Sequence, residues 1–71
     1  MLPNKIKKLR KEMGMTQNDL AKATGLDQTT ISNIELYEHI PSLISAYCLS
    51  RALNTTIPEL FDFGGVWKDD G

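Results

Sequence analysis

Between Gln17 and Leu36 the apolar positions recur at helical spacing: Leu20, Ala21, Leu26, Ile31 and Ile34 in QNDLAKATGLDQTTISNIEL. This pattern predicts two short helices joined by a tight turn at Thr24-Gly25-Leu26, with those five side chains turned inward. Gly25 suits the turn because a residue without Cβ enters the left-handed region at little cost. The same spacing places Ile6, Leu9 and Met13 on one face of a first helix from Pro3 to Met13, ended by Gly14. Thr16 is a natural cap for the second helix, with Asp19 three residues on completing a capping box. Further along, Ser42 caps a fourth helix that offers Leu43, Ala46, Tyr47, Leu49, Ser50 and Leu53 for packing. Asn54 suits a left-handed helix end. Thr56-Ile57-Pro58-Glu59 restarts the chain as a second capping box. Ile57, Leu60 and Phe61 then close the core in a short fifth helix. The predicted architecture is all-α: five helices in a compact domain over residues 1–61, followed by a tail over 62–71.

Asp27 is placed to cap the third helix, which should run from about Gln28 to Leu36. Gln28, Thr29, Ser32 and Asn33 then point outward, offering donors and acceptors without charge. This is the arrangement of a helix-turn-helix, whose second helix enters the DNA major groove. Two amphipathic helices about a glycine also occur in all-α proteins that never touch DNA, so spacing alone leaves both readings open.

The stretches IKKLRKEMGMTQNDLAKATGL, TTISNIE, PSL and RALNTTIPELF narrow the choice. From Ile6 to Phe61 they resemble the lambda-repressor/Cro-like, or Xre-type, family. The resemblance implies a five-helix domain with its helix-turn-helix at the second and third helices. It also implies sequence-specific binding of double-stranded DNA by a small bacterial or phage regulator, more often a repressor. Such a protein works as a dimer on a pseudo-palindromic operator. In the family a glutamine matching Gln17 contacts the DNA backbone, and an arginine matching Arg10 pairs with a glutamate matching Glu35 close to a phosphate. On the reading helix, a glutamine at position 28 can bond an adenine edge in bidentate fashion, and the Thr29 methyl can meet a thymine methyl. Asn33 and Ser32 complete the expected base-reading set. Arg10, Gln17, Thr16, Tyr37 and His39 form the expected phosphate-contacting set.

Charge modifies this picture. The chain has 71 residues and a formal net charge of −1, which argues against indiscriminate nucleic-acid binding. Residues 1–25 nevertheless carry Lys5, Lys7, Lys8, Arg10, Lys11 and Lys22 against only Glu12 and Asp19. The lysines do not share one stripe, so only one or two should approach DNA. The acidic remainder confines contact to one face and limits non-specific affinity, which scales with phosphates neutralised.

The loop from Leu36 to Pro41 departs most from the family, which commonly has a glycine and basic residues there. This chain has LYEHI, with Tyr37 in the glycine's place and Glu38 and His39 in the basic positions. Tyr37 and His39 can each meet a phosphate, whereas Glu38 would oppose both. Backbone N–H groups of the loop offer a second route to a phosphate.

The remaining features exclude more than they assign. No apolar run is long enough to span a bilayer, and the start lacks a signal-peptide pattern. The single cysteine, Cys48, rules out an intramolecular disulfide framework and is expected near the core; a cytoplasmic protein is expected. One cysteine and one histidine do not make a zinc site. No nucleophile lies beside a base and no glycine loop cradles phosphate, so no enzyme, cofactor, membrane or small-molecule ligand is expected. In the tail, Phe63 and Trp67 together with Phe61 and part of the fourth helix can contribute to a homodimer. A disordered end is the alternative. A rival to the DNA reading is a protein-interaction module of the same fold, of the antitoxin or anti-repressor partner kind. The acidic C-terminal two-thirds and Trp67 speak for it.

Overall fold

In the computed structural model, which describes residues 1–64, five helices follow in order: α1 (Ile6–Glu12), α2 (Gln17–Thr24), α3 (Gln28–Glu35), α4 (Leu43–Ala52) and α5 (Ile57–Leu60). No helix among these residues is long and apolar enough to cross a membrane. α2 packs against α3 and α4, and α4 against α5. Ile6, Leu20, Ile31, Ile34, Leu49 and Leu60 are the large side chains closed off from solvent at the centre. Leu2, Ala21, Ala46, Leu53 and Phe61 complete the core, and Leu9, Met15, Leu26 and Ile57 flank it, half-buried.

Local chemistry sets most boundaries. Thr16 accepts the Asp19 N–H at 3.0 Å while the Asp19 carboxylate accepts the Thr16 N–H at 2.9 Å, forming the expected reciprocal box. Asp27 accepts the Thr30 N–H at 2.7 Å and Ser42 the Ser45 N–H at 3.1 Å. At α5 the second box is only half formed. Thr56 accepts the Glu59 N–H, but its hydroxyl donates to the Glu59 carboxylate, which therefore does not turn back to the Thr56 N–H. Gly25 ends α2 with φ 77°, and its N–H donates to the Ala21 carbonyl.

Three departures from the sequence reading have physical causes. α1 begins at Ile6, not Pro3, because residues 3–5 pair with 60–62. Lys5 N–H donates to the Leu60 carbonyl at 2.9 Å, Asp62 N–H to the Pro3 carbonyl at 2.8 Å, and Asn4 bridges Phe61. This clasp draws Leu2 into the core. Met13 falls beyond the last turn of α1 and is exposed; Met15 supplies a half-buried contact instead. Leu43 and Tyr47 face solvent, because the apolar residues of α4 cover more of its circumference than the core can accept.

Asn54 and Tyr37 are the non-glycine residues with positive φ among those described, at 55° and 65°. Asparagine tolerates this region, whereas tyrosine pays for its Cβ, by roughly 1–2 kcal/mol. Tyr37→Gly relieves that strain but frees more backbone entropy on unfolding. A net gain of up to about 1 kcal/mol, read as a modestly higher melting temperature, is expected.

Candidate nucleic-acid interface

On α3, Gln28, Thr29 and Asn33 are exposed and Ser32 half-buried, while Ile31 and Ile34 are buried on the opposite side. At about 100° per residue, the four polar side chains occupy one arc of roughly 140°. The turn that Gly25 permits and the cap that Asp27 supplies fix where this helix begins. Leu20 and Ala21 of α2 share the core with Ile31 and Ile34 and so hold α3 against it.

The polar face is anchored by a continuous chain of hydrogen bonds. Arg10 Nε donates to Glu35 Oε2 at 2.8 Å, and its Nη2 to Glu35 Oε1 at 3.2 Å. The two side chains are 9% and 4% exposed. Arg10 Nη1 donates to the Met15 carbonyl at 2.9 Å, tying down the link between α1 and α2. Glu35 Oε1 also accepts Gln17 Nε2 at 3.0 Å, and Gln17 Oε1 accepts Gln28 Nε2 at 2.9 Å. The chain thus runs from the end of α1, through the last residue of α3 and the first of α2, to the first residue of α3. It fixes the amide of Gln17: with Nε2 committed to a carboxylate, Oε1 must face Gln28. Gln28 in turn keeps its own Oε1 and one N–H free to meet a donor–acceptor pair.

An open depression lies beside this network, lined by Arg10, Lys11, Gly14, Met15, Thr16, Gln17, Asn18 and Gln28. The free N–H groups of the first turn of α2 and the positive end of its dipole border it. Of the N-terminal lysines, Lys11 is the one that lines it. Arg10 occupies its floor, and its three bonded nitrogens leave little guanidinium surface for a phosphate. Thr16 is exposed and accepts the Asp19 N–H in the cap, a bond that uses an oxygen lone pair and not the hydroxyl hydrogen a phosphate would accept.

The loop after α3 is arranged differently from expectation. The Tyr37 N–H donates to the Ile34 carbonyl, and the Glu38 and His39 N–H groups to the Asn33 carbonyl at 2.9 and 3.3 Å. Those backbone donors are consumed within the chain and are not offered to a phosphate. The side chains of Tyr37 and His39 are exposed, as is Glu38.

Asn4 is a positioning residue that the sequence reading missed. Its Nδ2 donates to the Ile34 carbonyl at 2.8 Å and to the Leu2 carbonyl at 3.1 Å, while its Oδ1 accepts the Ile6 N–H. It therefore takes up the first N–H of α1, whose N-cap position is Lys5 without a side-chain cap, and holds the end of α3 at once. An asparagine two residues before the first apolar helical position was the available local signal; the long-range half of its role had none.

The caps also carry the site's pH response. The Thr16 backbone N–H, then the Thr16 hydroxyl, hold Asp19 below the usual carboxylate range; the Thr30 N–H does so for Asp27. A carboxylate depressed on folding contributes stability above its unfolded pKa, about 3.9, and loses it as pH falls through the folded value. Melting temperature should therefore be insensitive to these two groups from neutral pH to about pH 5 and decline below about pH 4. Asp27→Asn keeps the acceptor and removes the charge. Thermal melts across that range should show near-wild-type stability at pH 7 and a shallower acid limb.

Residues 6–60 match the family model described as "Helix-turn-helix". The chain belongs to the helix-turn-helix family. It is 41% identical over 59 residues to an uncharacterized HTH-type transcriptional regulator of Archaeoglobus fulgidus, covering 83% of this chain and 84% of that relative. Its fold is similar to that of the restriction-modification controller protein C.AhdI from Aeromonas hydrophila, with TM-score 0.75 and 32% identity over 80% of this chain and 86% of the other. A similar likeness holds to the biofilm master regulator SinR, solved in complex with DNA (TM-score 0.69, 30% identity, 75% and 86% coverage). These relatives are an HTH-type transcriptional regulator, a restriction-modification controller protein and a regulator of biofilm formation.

Proposed function

We propose that this helix-turn-helix protein is a sequence-specific double-stranded DNA-binding transcriptional regulator. α3 enters the major groove, Gln28 reads an adenine edge, and Thr29, Ser32 and Asn33 read or exclude neighbouring bases. The observation that carries this is the exposed polar arc of α3, whose leading residue is held in place by Gln17. The depression at the start of α2 seats a phosphate against Lys11, Gln17 and the free N–H groups of the first turn. Tyr37 and His39 add side-chain contacts at the far end of α3, against the opposing charge of Glu38. The exposed Thr16 hydroxyl, which lines the same depression, donates to that phosphate, and Arg10 acts from behind, by orienting the residues that touch DNA.

The α3 face carries no cation of its own, so one copy gathers few phosphates. Two copies on a pseudo-palindromic site, with reading helices about 34 Å apart, double them and read twice the sequence. Bound over a promoter in the cytoplasm, such a homodimer would exclude polymerase and act as a repressor. The likeness to a DNA-bound regulator and to a controller protein supports this reading.

Selection of bound duplexes from a random pool, followed by salt titration on the recovered site, tests it. A conserved inverted repeat is the expected product. Lys11→Ala should then lower affinity alike on specific and random duplex and flatten the log K against log salt slope by about 0.9 per half-site. Failure to enrich any sequence, with no duplex binding at low salt, would sink the proposal.

A further inference from the structure

The side chain of Asn4 ties the joined ends of the domain to the reading helix. Its amide is fully used: Nδ2 donates to the Leu2 and Ile34 carbonyls at 3.1 and 2.8 Å, and Oδ1 accepts the Ile6 N–H at 3.1 Å. With carbonyls facing Nδ2 and an N–H facing Oδ1, the amide has one orientation. The backbone that carries it is fixed on both sides by the bonds of Lys5 to Leu60 and of Asp62 to Pro3. Asn4 itself bridges Phe61, which is 2% exposed and spent on the core, so it does not supply the dimer contact that the sequence suggested. Phe63 is exposed, with its ring 6.3 Å from that of Phe61, and Trp67 lies outside the described residues.

What Asn4 holds is the exit of α3. The last carbonyls of a helix lack partners within it, and α3 has no basic residue in its last turn to supply one. The Ile34 carbonyl instead accepts Asn4 Nδ2 and, at 3.0 Å, the Tyr37 N–H. Tyr37 stands there at φ 65°, a conformation that strains a residue with a Cβ. Asn4 thus meets the helix at the carbonyl on which the strained turn closes. The start of α3 is held separately, by the bond between Gln17 and Gln28. Gln28 and Ile34 lie roughly 9 Å apart along the helix axis. Once one end is released, a tilt of about 10° about the other moves it by about 1.5 Å, well beyond the roughly 0.5 Å that a positioned contact tolerates.

We propose that Asn4 determines DNA specificity at the far end of α3 without touching DNA. Through the Ile34 carbonyl it fixes the height of Ser32 and Asn33 over the base steps they meet, while Gln17 fixes Gln28 over the adenine step. Specificity is divided between two amide clamps, one on α2 and one on the segment before α1. The inference rests on the base-reading role of α3 given above and assigns which residue positions each half of it. The side-chain contacts of Tyr37 and His39 to phosphate survive the tilt, because an exposed side chain follows a phosphate oxygen whereas a base edge admits one geometry.

Selection of bound duplexes from a random pool, run on the wild type and on Asn4→Ala and Asn4→Asp where every variant is folded, tests this. Asn4→Asp keeps an acceptor for the Ile6 N–H and loses only the donors, which separates the clamp from the start of α1. Leu53→Ala, a core truncation that removes no hydrogen bond to α3, is the comparison for lowered stability alone. In both Asn4 variants affinity for the wild-type site should fall roughly tenfold, with random duplex within about twofold. Their recovered sequences should keep the adenine step and lose preference at the steps met by Ser32 and Asn33. Gln17→Ala should lose the adenine step and keep the others, and Leu53→Ala should keep them all. Asn4 variants that retain every preference, or lose them all evenly, would overturn the assignment, as would Leu53→Ala reproducing the Asn4→Ala pattern. A wild type that enriches no sequence overturns the DNA reading and the clamp together, whereas wild-type preferences left unchanged in the Asn4 variants overturn the clamp alone.

Discussion

Glu35→Ala is expected to be the most damaging single substitution in the helix-turn-helix, acting on stability and DNA affinity together. Removing the carboxylate leaves Arg10 charged and almost wholly enclosed, with two of its hydrogen bonds gone. Breaking one partner of a buried pair costs about 3–5 kcal/mol. A domain of this length has total stability of only about 4–10 kcal/mol. With about 4–8 °C per kcal/mol, melting should fall by upwards of about 12 °C. Glu35 also holds the amide of Gln17, so DNA affinity should drop even at temperatures where the variant is folded. Replacing both partners, as in Arg10→Met with Glu35→Leu, should recover much of the stability, since no buried charge is left alone. It should not recover affinity, because Gln17 would still lack its acceptor. That split separates the pair's two roles. If Glu35→Ala melted and bound like the wild type, the network would have no part in either.

How much of this was visible beforehand follows from how local each feature is. Gly25, Asn54 and the caps at Thr16, Asp27 and Ser42 are decided within four residues, and the structure places each where the sequence pattern does. The Arg10–Glu35 pair spans 25 positions and came only through resemblance to a family. The pairing of residues 3–5 with 60–62 joins the ends of the domain, and no periodicity marks it; an extended segment after Pro3 reads equally well as a first helical turn. The bond between Gln17 and Gln28 was also out of reach. Each glutamine reads separately as a solvated polar residue, and only the crossing of α2 and α3 brings their amides together. Leu43 and Tyr47 misled for the opposite reason. Their spacing is that of core residues, but α4 has apolar side chains on two faces and only one meets the interior. Residues that obey the core pattern and stay outside it point to a surface that something else covers.

Gln28→Ala is expected to have the largest effect on recognition with almost none on folding. The side chain is exposed, and its one intramolecular partner, Gln17, retains its bond to Glu35. Loss of a bidentate base contact costs about 1–3 kcal/mol, or roughly 5- to 150-fold in affinity per half-site. A two-fold operator would feel the loss twice. Affinity for random duplex and the salt slope should stay near the wild-type values, because no phosphate contact is removed. Gln17→Ala should differ in kind. It frees Gln28 to adopt other rotamers and removes a backbone contact, so both specific and random binding should weaken. If the two glutamines act as a unit, the double variant should cost less than the sum of the single losses on the selected site. Binding of the three variants to the selected site and to one altered at the adenine step decides the matter. Gln28→Ala should equalise the two sites, and continued discrimination between them would remove Gln28 from the base-reading set.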